Sequence, residues 1–236
     1  MTAKRRAVAA ALLSAVLMLN GCEILEQQTA WTPQESDAIS IAADGSVTEI
    51  VQETLDQSYY DLTELKTMID SEVEAYNAEN GEDSIKVETF TNDGNTVTLQ
   101  IWFASADDYA AFNNVEFFCG SMISAQLEGY LFDVSFYRVE DGVVSGSTVS
   151  YSTVFEDMSD NVLIVQAPME VHIEDGSVIF ISTNAEMISS DTVNANGEQE
   201  ETEALVLPSS KVYEGEETTW AEQKEANRVY IIYETD

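Results

Sequence analysis

The chain has 236 residues, 44 of them acidic and 9 basic, giving a formal net charge of −35 at neutral pH. A field of that sign repels nucleic acid and anionic phospholipid, which excludes nucleic-acid binding, and it favours cations, cationic partners and solubility. Hydrophobic residues make up 44% of the sequence, enough to build a core, so the acidity belongs to a folded protein with a charged surface and not to a disordered one.

The first element is a leader. Lys4, Arg5 and Arg6 precede an apolar run from Ala7 to Leu19 that is broken only by Ser14. That run is too short for a bilayer core, which needs about 20 helical residues, and has the form of a secretory signal. It ends Leu19-Asn20-Gly21-Cys22, four residues that resemble the lipobox of bacterial lipoproteins. The resemblance implies that residues 1–21 are removed and that diacylglycerol is attached to the Cys22 sulfur. The protein would then sit on the outer face of the cell membrane, with the membrane as its partner through that anchor. Each buried methylene contributes roughly 0.8 kcal/mol, so two acyl chains hold a protein where one holds it marginally. The paired arginines lack the rest of a twin-arginine pattern, which points to the general secretion route. With Cys22 lipidated, Cys119 is the remaining thiol and no internal disulfide can form. Behind two phenylalanines in VEFFCGSM, it has the setting of a small buried hydrophobe rather than a nucleophile.

Residues 22–37 read as the lipidated cysteine and a polar tether of roughly 20 Å mean span, and 38–236 as the folded part. Four Asp-Gly pairs, at 44–45, 93–94, 141–142 and 175–176, are flanked by β-branched or aromatic residues and predict hairpins. Between the first two, Leu62, Leu65, Ile69, Val73 and Tyr76 recur at helical spacing up to Asn80-Gly81, predicting one long helix. KVETFTNDGNTVTLQIWF follows as a hairpin with Val97, Leu99, Ile101 and Phe103 on one face and Thr98, Gln100 and Trp102 on the other. A short helix is expected from Ser105, whose spacing to Asp108 suits a capping box, and a second from Ser121 to Gly129. YLFDVSFYRV alternates as a strand, and from Thr148 onward the text is β, including NVLIVQAPMEVHIEDGSVIFIS, ALVLP and RVYIIYE. The acidic stretches NANGEQEETE and YEGEETTWAEQKEAN interrupt this pattern as loops. The fold class is therefore α+β: an antiparallel sheet built from Asp-Gly hairpins, with one long and one or two short helices and a β-rich C-terminal part. The composition allows a division near residue 150.

Residues that could carry chemistry are sparse. His172, the single histidine, alternates outward between Glu170 and Glu174, as an exposed strand residue. No Gly-x-Ser-x-Gly elbow, Ser-x-x-Lys motif or Gly-rich phosphate loop accompanies it, and one histidine with one thiol does not make a zinc site. No catalytic residue is singled out, and paired carboxylates carry no information among 44 acids. Calcium is the one cofactor the spacing admits: counted from Thr192, Asn194, Asn196, Gly197 and Glu203 fall at positions 3, 5, 6 and 12 of an EF-hand loop, with Thr in place of Asp at position 1 and Gln199 where an apolar residue belongs. The aromatic residues offer a second thread. Trp102 and Tyr137 fall on the outward faces of their strands, while Trp31 and Trp220 lie in polar segments; an aromatic platform beside carboxylates suits sugars or cationic groups, and packing beneath a second layer is the common alternative.

Through TMIDSEVEAYNAENG, DYAAFNN with FFCGS, and RVYIIYE, the chain also resembles uncharacterised lipoproteins of single-membrane anaerobic bacteria, a likeness that implies no activity. The expected function is that of a lipid-anchored extracytoplasmic surface protein with a non-catalytic binding domain for a protein, glycan or cationic ligand. Two alternatives stay open: a solute-binding component of a transporter, and a glycan-acting hydrolase.

Overall fold

A computed structural model describes residues 31–55, 61–155, 160–166, 168–195 and 228–235. In it, β1 (Asp37–Ile41), β2 (Val47–Thr54), β3 (Ile85–Asp93), β4 (Thr96–Phe103), β9 (Glu170–Ile173), β11 (Glu186–Met187) and β12 (Thr192–Asn194) form a seven-stranded sheet in the order β11-β12-β9-β1-β2-β4-β3. A six-stranded sheet, ordered β5-β8-β13-β10-β6-β7, is made of β5 (Phe117–Ser121), β6 (Phe136–Glu140), β7 (Val143–Val149), β8 (Asn161–Val165), β10 (Gly176–Ser182) and β13 (Val229–Thr235). The helices among the described residues are α1 (Leu62–Asn80), α2 (Ala106–Asn113), α3 (Met122–Leu127) and α4 (Tyr151–Val154). The class is α+β, as expected, with strand pairing antiparallel except between β1 and β9, which run parallel.

No domain boundary falls near residue 150. Strands after that point complete both sheets, since β9 joins β1 and β8 joins β5, and Pro33–Asp236 forms one compact unit. The domain also begins before residue 38. The backbone N–H groups of Gln34 and Glu35 both donate to Glu170 Oε2, at 2.8 and 3.1 Å, and Gln52 N–H donates to the Ser36 carbonyl. The end of the expected tether is thus fastened to the sheet, and Glu170 is buried under it instead of standing outward. The leader, Cys22 and residues 23–30 lie outside the described residues.

Three of the four Asp-Gly pairs close hairpins, each differently. Asp141 and Gly142 both have positive φ, 51° and 77°, as a two-residue type I′ turn between the paired Glu140 and Val143 demands. Gly94 alone does so between Asp93 and Thr96, and Gly45 does so in a longer β1–β2 loop. The fourth pair does not make a hairpin: Asp175-Gly176 carries the chain from β9 in one sheet to β10 in the other. There the glycine answers a steric demand, because a Cβ at Gly176 would lie 2.6 Å from the Glu234 carbonyl oxygen and 2.9 Å from Ile173 Cγ2.

The two sheets pack face to face. Ile39, Ile41, Val171 and Phe103 of the first meet Leu163, Ile181, Ile231 and Val178 of the second in one apolar cluster. At the β3–β4 end, α1 and α2 contribute Val73 and Tyr109 to the same cluster. Both helices start where the sequence places them. Asp61 accepts from the Thr63 and Glu64 amides, and Ser105 Oγ accepts from the Asp108 amide while donating to its carboxylate. α3 begins at the expected Ser121 cap.

A second cluster lies on the other face of the six-stranded sheet, where Phe118, Phe136, Ile164, Phe180 and Tyr230 are covered by Met122 and Ala125 of α3, by Phe132, and by Val154 of α4. This layer explains two departures from expectation. Only the second half of YLFDVSFYRV is strand, because residues 130–135 fold over the sheet: the Phe132 ring packs on Tyr230 and Phe155, and Tyr230 Oη donates to the Leu131 carbonyl. α4 interrupts the expected β text for the same reason, burying Val154 in the cover. ALVLP lies outside the described residues, and no helix among the described residues is long and apolar enough to cross a membrane.

Candidate functional site

Alternation decides what the seven-stranded sheet presents on its outer face. In β2 and β4 the odd-numbered residues Val47, Ile101 and Phe103 turn into the core, which turns Thr48, Ile50, Gln52, Thr98, Gln100 and Trp102 outward. Register aligns them as cross-strand pairs: Thr48 with Trp102, Ile50 with Gln100, and Gln52 with Thr98. β1 continues the face with Ala38 and Ser40, since Ser40 pairs with Thr48 on one side and with His172 on the other. One row of neighbours therefore crosses six strands, Thr192-His172-Ser40-Thr48-Trp102-Lys86. The three strands β1, β2 and β4 offer only neutral side chains on this face, and none of those belongs to either apolar cluster.

Trp102 is half-buried in this face. The Lys86 ammonium stands over its ring, 5.1 Å from the centroid, and is tied to Asp83 at 3.1 Å in a pair whose side chains are 53% and 82% exposed. Such an exposed pair contributes little, so Lys86 is free to leave the ring. Gln100 is held more firmly: its Nε2 donates to Glu88 at 2.9 Å.

The far end of the row is a hydrogen-bonded corner. Thr192 Oγ1 donates to Asp191 Oδ1 at 2.9 Å and lies 3.2 Å from His172 Nδ1, so it serves as acceptor for an Nδ1–H. Burial works to raise the Asp191 pKa, but hydrogen bonds from Ser189 and Thr192 and the neighbouring His172 outweigh it and hold the carboxylate below its usual range. His172 is not the exposed residue expected from alternation. Its side chain is 15% exposed, because Thr192 and Ser40 flank it in the middle of the sheet. Asp191, His172 and Ser40 have the identities of a hydrolytic triad but not its wiring: Ser40 Oγ gives its proton to Glu174 at 2.7 Å, and the strand amides around it are committed to the ladder.

Tyr137 does not join this surface. It lies on the six-stranded sheet, where β6 is buried on both faces: Tyr137 and Val139 pack into the inter-sheet cluster and Phe136 packs beneath the cover on the opposite face. Trp102 and Tyr137 thus lie on different sheets and form no common platform. The EF-hand spacing fails at its start: Thr192 and Asn194 are strand residues paired with His172 and Glu170, a geometry that cannot begin a calcium loop. Asn196, Gly197, Gln199, Glu203 and Trp220 lie outside the described residues. Among the described residues no group of three or more His, Cys, Asp or Glu side chains is placed to hold a metal.

Cys119 and Glu49 are among the titratable groups that face the interior. Cys119 Sγ lies 3.2 Å from Tyr233 Oη; burial pushes the thiol up, against the opposing effect of that contact. Glu49, on the inner face of β2 between Ile39 and Ile101, accepts from Asn113 Nδ2 of α2 at 3.3 Å. Burial raises its pKa to about 7; the hydrogen bond opposes the shift and Asp37 adds to it.

The sequence reading placed Thr98, Gln100 and Trp102 on one side of β4 but missed their neighbours Thr48, Ile50 and Gln52 on β2, because lateral order comes only from register. Fold and face together define an acidic two-sheet α+β domain in which the outward residues of β1, β2 and β4 are uncharged. No protein-family model, curated protein or solved structure matches the chain.

Proposed function

We propose that this chain is a lipid-anchored protein on the outer face of the cell membrane, held by diacylglycerol on Cys22, whose domain is a non-catalytic binding module using the outer face of the seven-stranded sheet. The observation that carries the binding reading is the patch around Trp102, where the outward residues of β2 and β4 are all uncharged in a chain of net charge −35. Charged groups are costly to desolvate and are depleted from the cores of recognition surfaces, whereas hydroxyls, amides and an indole can exchange water for ligand. The anchor reading is supported by the Lys-Arg-Arg leader, the apolar run and the Leu-Asn-Gly-Cys box. One feature weighs against the transporter alternative: Pro33–Asp236 forms one unit, where a transporter's solute-binding component closes two lobes on its ligand.

The anchor is tested by expressing the full chain in a single-membrane bacterium fed an alkyne-tagged fatty acid. The wild type is expected in the membrane fraction carrying the tag, and Cys22→Ala in the soluble or secreted fraction without it. A Cys22→Ala chain that stays tagged and membrane-bound overturns the anchor.

A further inference from the structure

We infer that α2 and the turn after it, residues 106–116, form a pH-sensitive flap, which the proton on Glu49 holds against the inner face of the seven-stranded sheet and which loosens as that proton is lost.

Glu49 is a carboxylic acid in an apolar row. Its cross-strand neighbours are Ile39 and Ile101, both members of the inter-sheet cluster. Its hydrogen bond from Asn113 Nδ2 is long, at 3.3 Å, and among the described residues no Lys, Arg or His is paired with it. The groups that face it do not offset an ionised carboxylate. Asp37 at the head of β1 adds negative charge, and Tyr109 of α2 presents a phenol that burial keeps protonated. β4 and β5 contribute the uncharged Phe103 and Phe117 rings that hold Tyr109, while Asp107 and Asp108 make the first turn of α2 acidic. A neutral Glu49 can lie beneath the helix, but an ionised one needs water. Lifting one eight-residue helix admits water without parting the two sheets. The flap has a hinge and a pin. Asn114, at its C-cap, is left-handed with φ of 52°, and beyond it Glu116 accepts from Arg228 Nε at 2.9 Å, so the β5 end stays with the six-stranded sheet. Toward α1, α2 is tied by Tyr76 Oη donating to Asp108 at 3.1 Å. Burial, opposed by Asn113 and aided by Asp37, puts the Glu49 pKa at about 7 in the closed state, against 4.5 for a carboxyl in water. The open state therefore gains about tenfold per pH unit between those values and levels off above them.

The full chain, solubilised in mild detergent, is followed by hydrogen–deuterium exchange with mass spectrometry from pH 5 to 8, corrected for the pH dependence of intrinsic exchange. Exchange in residues 106–116 is expected to rise about fortyfold from pH 5 to 7 and to level off by pH 8. At pH 8 it should be at least about tenfold faster than in β8 and β13, which open only with the whole domain. Glu49→Gln carries no ionisable group and should abolish the rise. Asp37→Asn removes the neighbouring charge, so the rise should level off at a lower pH. Because Asp37 is exposed at the start of β1, this second variant keeps the test valid if Glu49→Gln is poorly folded, which circular dichroism melting reports. A flat wild-type profile overturns the flap, and so does exchange at pH 8 no faster than in β8 and β13. It is equally overturned by a rise that persists in folded Glu49→Gln or a plateau unmoved in Asp37→Asn.

Discussion

The outer faces of the two sheets have opposite fates, and the difference lies in a single feature of their strands. In the six-stranded sheet, NVLIV and VYIIY put apolar residues on both faces, so Ile164, Tyr230 and Ile232 turn away from the inter-sheet core and need a cover. α3, residues 130–135 and α4 supply it. In the seven-stranded sheet VTEIVQET and TVTLQIWF alternate, and their outward residues, half-buried from Thr48 to Gln52 and Thr98 to Trp102, join neither apolar cluster. Strands buried on both faces read as continuous apolar runs and strands buried on one face alternate. The covered face contributes stability.

The comparison breaks most sharply under substitution of the large buried rings. Phe136→Ala, which empties a fully buried site beneath the cover, is expected to destabilise the domain by about 3–5 kcal/mol, read from chemical denaturation. A much smaller loss would mean that the cover is loosely packed and the two faces are alike.

Glu49 tests the inner layer where helices, not the second sheet, close over it. Its native pKa of about 7 lies above the ordinary 4.5, so the native state holds the proton to higher pH than the unfolded chain does. Stability should therefore fall as pH rises from about 4.5 to 7 and level off above that, by at most about 3 kcal/mol. Glu49→Gln should flatten this slope and be the more stable protein at pH 8. An unchanged slope in denaturation measured across that range would assign it to other groups.

Gly176 tests the passage between the sheets. Gly176→Ala forces a methyl group against the Glu234 carbonyl and is expected to cost about 1–3 kcal/mol, whereas Gly146→Ala, at an exposed site on β7 with no atom within 4 Å of the added carbon, should leave the melting temperature nearly unchanged. The smallest effect belongs to the outer face of β4. Trp102→Ala should lower stability by about 1 kcal/mol or less, and a loss as large as that of Phe136→Ala would show that this face is structural.

Much of this was legible locally. The long helix announces itself through Leu65, Ile69, Val73 and Tyr76 and its end at Asn80-Gly81, and the Ser105 and Ser121 caps mark two helix starts, because caps and periodicity depend on residues a turn apart. The Asp-Gly turns were legible as turns; whether the strands on either side pair was not, since Asp141-Gly142 and Asp175-Gly176 have the same chemistry and only the first closes a hairpin. Tyr137 was placed on the wrong face because β6 is buried on both sides, with Phe136 beneath the cover and Tyr137 and Val139 in the inter-sheet core, and alternation in one strand does not say which apolar side meets the other sheet. The burial of His172 and Glu170 depends on β12, β1 and residues 33–36, all distant in sequence.

By itself, then, the sequence determined the α+β class, the helix starts at Ser105 and Ser121, the acidic composition and which residues of β4 share a side. Those are properties of nearest neighbours and of composition. Only the tertiary structure decided that strands from both halves of the chain interleave, that α3, α4 and residues 130–135 cover the six-stranded sheet, and that Gln52, Thr98, Gln100 and Trp102 become one surface. Lateral order in a sheet is set by which apolar faces find each other across long loops, and no single strand carries that information.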